Sequence, residues 1–165
     1  MSDDGFVEVG ATPSVDTTIA ITNTNPKDDP RYSALLKQLQ GWHGELLKQN
    51  LAENPALIGD YLGKMRLNVN LLFAYINVYI DNLTDLMQET AVKRQRLFEE
   101  RLHMPKSSPS ASETYARELC RIDEANVKVL ENRITQIKNE YERYNGICMY
   151  LQSRLKEFNT ERIMG

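Results

Sequence analysis

The sequence predicts an all-α fold: a long antiparallel helical hairpin of coiled-coil type, preceded by a short N-terminal helix and a disordered acidic tail. Three observations carry this. Val127, Leu130, Ile134, Ile137, Tyr141, Tyr144, Cys148, Leu151, Leu155 and Phe158 recur at alternating spacings of three and four, which keeps one stripe of an α-helix facing a partner. A second apolar-rich stretch runs from Val69 to Met87, with residues on more than one stripe, as a helix touching two neighbours requires. Between the two stretches, Pro105, Pro109 and four serines interrupt residues 104–112, so the chain must turn there.

In chain order, residues 1–29 hold two prolines, two glycines, many Thr and Asn and only scattered apolar residues. Such a composition buries too little to offset its ordering entropy, so it reads as a disordered tail. The helical domain is then 30–165, with helices over about 30–49, 54–104 and 112–161. Pro30 opens the first, whose apolar face is Leu35, Leu39, Trp42 and Leu46, with Leu36, His43 and Leu47 beside it. Asn54-Pro55 is an N-cap and first-turn signature for the second, which bends or breaks near Leu67 to Asn70. Ser112-Glu113 starts the third, about 45 residues long and beyond the usual globular range. Parallel pairing of this helix with its own copy sets Arg133 against Lys138, a like-charge contact, so the seam from Val127 to Tyr144 packs within the hairpin. Its end is apolar on too many faces for one partner. Ile147, Met149, Tyr150, Leu151, Leu155, Phe158 and Ile163 are therefore expected to bring copies together as a homo-oligomer.

Net charge is −3 over 165 residues, so nucleic-acid binding does not follow from overall charge. The distribution is uneven. Residues 1–34 carry six acids against Lys27 and Arg31, a net of −4, and the remainder sums to +1. Residues 93–106 carry five bases against Glu99 and Glu100, a net of +3 at the hairpin tip. Lys93, Arg94, Arg96, Arg101 and Lys106, joined by Arg117 and Arg121 returning on the third helix, form a candidate phosphate-holding patch, with His103 and Tyr115 placed to stack on bases. A solvated, mixed-charge coiled-coil face has the same composition.

Cys120 and Cys148 lie 28 residues apart on one helix, about 42 Å and too far for an intrachain disulfide. The most hydrophobic run, Val69 to Ile80, is interrupted by Asn70 and Asn77 and is short of a membrane span. No charged-then-apolar leader begins the chain. These features fit a soluble cytoplasmic protein without a membrane partner. Phosphate-binding glycine loops, zinc-spaced cysteine pairs and the H-E-x-x-H pattern are absent, and His43 and His103 are the only histidines. The expectation is a non-enzymatic protein with no cofactor and no metal.

From Trp42 onward, the order of features resembles the UvsY-type recombination mediators of T-even-like phages. A short helix closes with Glu45-Leu46-Leu47-Lys48. The long helix turns basic through Thr90 to His103 and ends in Arg101-Leu102 before a serine-rich loop, and the last helix has a cysteine-containing apolar end, Tyr144 to Met149, and a Met-containing finish, Arg162 to Gly165. The resemblance covers about residues 40 to 165. It implies an all-helical protein that assembles through its C-terminal region into a hexamer or heptamer, binds single-stranded DNA, and helps a RecA-like recombinase replace the single-strand-binding protein. It also implies DNA contacts from a lysine and, two residues later, an arginine just before the loop. The arginine position falls on Arg101 and the lysine position on Glu99. The acidic tail has no counterpart in the short members of that family. A different class, a coiled-coil structural or assembly protein of a virion or secretion system, fits the same helices.

Overall fold

A computed structural model describes residues 25–165. Residues 1–24, most of the expected acidic tail, lie outside the described residues. Among the described residues there are three α-helices and no strand: α1 (Pro30–Lys48), α2 (Ala56–Leu102) and α3 (Pro109–Met164).

The first helix is set by what precedes it. Residues 25–29, placed in the tail by composition, form a 3-10 turn over Pro26–Asp28 and the cap of α1. Asn25 Oδ1 accepts from the Lys27 amide at 3.1 Å, and Asp29 Oδ1 accepts from the Arg31 amide at 2.9 Å. Asp29 is buried, and its other carboxylate oxygen accepts from the Tyr75 hydroxyl at 3.3 Å. Proline at the first position of α1 needs no donor there. The cap thus ties the start of α1 to α2.

No break occurs at Leu67 to Asn70: α2 is continuous through 47 residues. Asn68 Nδ2 donates to Gln38 Oε1 of α1 at 2.8 Å, so its amide is engaged between helices rather than competing for its own backbone. The third helix starts three residues before the expected position. Ser108 Oγ accepts from the Ala111 amide at 3.1 Å and Pro109 takes the first turn, a cap-and-proline pair of the kind already seen at Asp29-Pro30. Ser112 is instead a buried residue inside the helix.

The described chain divides into two compact units, 25–76 with 136–165 and 77–135. In the first, α1, the first part of α2 and the last part of α3 share a core of Leu39, Ile58, Met65, Leu72, Ile137 and Leu151, all buried. The ring of Tyr32 meets Tyr75 edge-on at 5.5 Å, and His43 meets Tyr144 edge-on at 6.5 Å, so His43 has the packing role its surroundings in the sequence imply. Arg66 Nη1 donates to Asn145 Oδ1 at 2.7 Å, and Phe73 packs on Tyr141 at 5.6 Å. These contacts set α2 antiparallel to α3 in this unit.

In the second unit, α2 and α3 are again antiparallel and pack on each other directly. Leu97, Ala116 and Cys120 are buried together, with Phe98 and Tyr115 against them. Tyr79, Leu130 and Ile134 are also buried here, so the heptad seam continues to work as an intrachain core. Cys120 and Cys148 are both buried free thiols. Among the described residues, no helix is long and apolar enough to cross a membrane.

Candidate nucleic-acid interface

All seven candidate cations lie in the second unit. The +3 of residues 93–106 meets a segment of opposite sign: residues 107–124 carry Glu113, Glu118, Asp123 and Glu124 against Arg117 and Arg121, a net of −2. Geometry turns this balance into ion pairs. Lys93 Nζ donates to Asp123 Oδ2 at 2.6 Å. Arg94 donates to Glu124 Oε1 at 3.0 Å through Nη1 and to Glu113 through Nη2. Its fork therefore bridges two carboxylates of α3.

The remaining pairs are looser and lie within single helices. Arg96 sits 3.7 Å from Glu100, Arg117 3.5 Å from Glu113, and Arg121 3.9 Å from Glu118. Arg101 and Lys106 have no ion pair among the described residues. Arg101 is half-buried at the end of α2, and Lys106 is exposed in the connection with φ 58°. Cations held by carboxylates already present a balanced field, whereas these two leave positive charge at the turn.

Hydrogen bonding shifts the titration of the paired groups. The Arg94 guanidinium, mainly by hydrogen bonding, holds the Glu113 carboxyl below the ordinary glutamate range. Asp123, again mainly by hydrogen bonding, raises the Lys93 ammonium above the ordinary lysine range. Each bridge thus keeps its group in the charged form over a wider span of pH than an isolated side chain would have.

The two candidate stacking groups have different surroundings. Tyr115 is half-buried against the Leu97 and Cys120 cluster, so packing occupies much of its ring. His103 is exposed, and its Nδ1 donates to the Glu99 carbonyl at 2.6 Å, leaving Nε2 without the proton in the neutral ring.

At the C-terminal end, Met149, Tyr150 and Ile163 are exposed, while Ile147, Leu155 and Phe158 are half-buried. Arg154 lies 5.3 Å over the Phe158 ring. Leu151 departs from the sequence expectation: it has no exposed surface, because it stands on the same seam as Tyr144 and Cys148 and fills the core of its own unit. It is not a surface on which another copy could rest.

The carboxylates of α3 are the feature that counting cations overlooks. Glu113 and Asp123 continue the three-and-four spacing of the seam backward through Ala116 and Cys120. That spacing is the signal, present in the sequence, that α3 turns acids toward α2. Compared with protein-family models, curated proteins and solved structures, the chain matches none.

Proposed function

We propose that the protein is a recombination mediator: a helical homo-oligomer that binds single-stranded DNA and assists loading of a RecA-like recombinase in place of single-strand-binding protein. The supporting observation is that Arg101 and Lys106, at the end of α2 and in the turn after it, are cations without a carboxylate partner among the described residues. Arg101 is also the residue on which the arginine of the UvsY-type pattern falls. Two cations per copy bind phosphate weakly, but six or seven copies acting on one strand multiply that affinity without new contacts. In this reading the exposed Met149, Tyr150 and Ile163 contribute to assembly through the C-terminal region.

A second reading rests on a specific observation. Five of the seven candidate cations are engaged by carboxylates, as on a solvated coiled-coil surface of a virion or secretion-system assembly protein. Sedimentation with and without oligo-dT at two salt concentrations separates the two. Co-sedimentation at low salt that weakens steeply with added salt supports the mediator; none at low salt leaves the assembly protein.

A further inference from the structure

His103 stands between the two cations that lack a carboxylate partner, two residues after Arg101 and three before Lys106. From Arg101 to Ser112 the sequence contains no acid. The acids on either side of this stretch have partners of their own. Glu99 accepts from the Gln95 amide at 2.7 Å, Glu100 lies 3.7 Å from Arg96, and Glu113, near the start of α3, is held by Arg94 and Arg117. The connection is therefore a short run of positive charge with an exposed imidazole in its middle.

The backbone decides which nitrogen of that ring is free. The Glu99 carbonyl accepts both from the His103 amide, at 3.2 Å, and from the ring Nδ1, at 2.6 Å. A carbonyl can only accept, so the proton of the neutral ring sits on Nδ1. Among the described residues no group bonds to Nε2. In the neutral ring Nε2 presents a lone pair, an acceptor like a phosphate oxygen, and gives a strand nothing to bond to. In the protonated ring it presents an N–H and a positive charge, a charge-assisted donor to phosphate. Histidine is the side-chain type that makes this change between pH 5 and 8. Because Nδ1 is already tied to the backbone, the ring is oriented before any ligand arrives, and less rotamer freedom is lost on binding.

We infer that His103 is a third phosphate-binding residue of the connection, active only in its protonated form, so that the hold on a phosphate-bearing strand tightens as pH falls through the histidine range. The inference rests on reading this connection as the strand-binding site. Below that range each copy offers Arg101, His103 and Lys106; above it, Arg101 and Lys106 act alone. Proton and strand favour each other's binding reciprocally, and the gain multiplies where several copies share one strand.

Fluorescence anisotropy of the full-length chain with labelled oligo-dT at pH 8 and pH 6 tests it, since the phosphodiesters keep their charge throughout. On moving to pH 6 the parent binds about two- to five-fold tighter for each engaged copy, the size of an exposed ionic contact, and its slope of log K against log salt steepens by about 0.7 per copy. His103→Gln, neutral at both values, keeps the affinity and slope of the parent at pH 8. His103→Lys, charged at both, binds at pH 8 as the parent does at pH 6. The same pH dependence in parent and His103→Gln overturns the inference and leaves the mediator reading standing, as does a His103→Lys no tighter than His103→Gln at pH 8. No binding by the parent at either pH overturns both.

Discussion

Lys93 Nζ lies 2.6 Å from Asp123 Oδ2, two residues 30 apart in sequence and on opposite helices of the second unit. The contact fixes which turn of α3 stands beside which turn of α2. It also withdraws one of the candidate DNA-binding cations. The acid side of the unit works likewise through Arg94 and Glu113.

These two pairs make stability depend on pH at both ends. Lys93 is raised in the folded chain, so its contribution is present below the ordinary lysine value of about 10.4 and is lost as pH rises through the higher folded value. Glu113 is lowered, so its contribution is present above about 4.3 and is lost as pH falls through the lower folded value. Thermal melts across pH should show Lys93→Met flattening the alkaline limb relative to the parent, and Glu113→Gln flattening the acid limb. Equal slopes in parent and variant would show that the pairs do not hold in solution.

Asp29→Ala removes the cap of α1 and the acceptor of the Tyr75 hydroxyl together. Truncating a capping side chain costs about 1–2 kcal/mol. Urea unfolding should show a midpoint reduced accordingly, with Tyr75→Phe costing less because the capping bond survives.

Ile137 has no exposed surface and stands on the α3 seam within the first unit. Truncation to Ala leaves a cavity among fixed neighbours and costs about 2–5 kcal/mol. Ile163→Ala, at 86% exposed, should leave unfolding of the individual chain nearly unchanged; if the proposed C-terminal assembly holds, it should instead lower the mass found by light scattering.

How much of the molecule is legible in its sequence depends on the range of the interaction. The seam from Leu130 to Leu151 can be read because helical periodicity is local, and it is enough to set α2 against α3. The stretch from Leu67 to Asn70 reads as a bend or break because asparagine's preference for bonding its own backbone is also local; the actual acceptor of Asn68, Gln38, stands 30 residues earlier on another helix. Ser112 reads as a cap for the same reason, while Ser108-Pro109 reads only as loop. Arg94 reads as a free cation because its partners, Glu113 and Glu124, come 19 and 30 residues later. Once the seam is extended backward from Val127 through Asp123 and Glu113, that pairing becomes visible too.

Lys106 holds φ 58° without being glycine. The left-handed conformation costs a side-chain-bearing residue about 1–2 kcal/mol, part of which glycine returns through its greater unfolded-state freedom. Lys106→Gly should therefore raise the melting temperature slightly. If the mediator reading holds, the same substitution weakens binding to oligo-dT, so stability and affinity move in opposite directions.

If the mediator reading holds, the paired and unpaired cations should separate cleanly in their salt dependence. On single strands, every phosphate that a protein neutralises adds about 0.7 to the steepness of log K against log salt. Arg101→Ala with Lys106→Ala should therefore make that slope shallower by roughly 1.4 per engaged copy, measured by fluorescence anisotropy on labelled oligo-dT. Arg121→Ala, on an exposed residue with a loose intrahelical partner, should change it less. Glu113→Gln with Glu124→Gln should do the reverse: it leaves Arg94 with neutral partners, returns its charge to the turn, and steepens the slope. A double glutamine variant that binds no tighter than the parent would mean that Arg94 is too far from the strand to matter, and would confine the phosphate contact to Arg101 and Lys106.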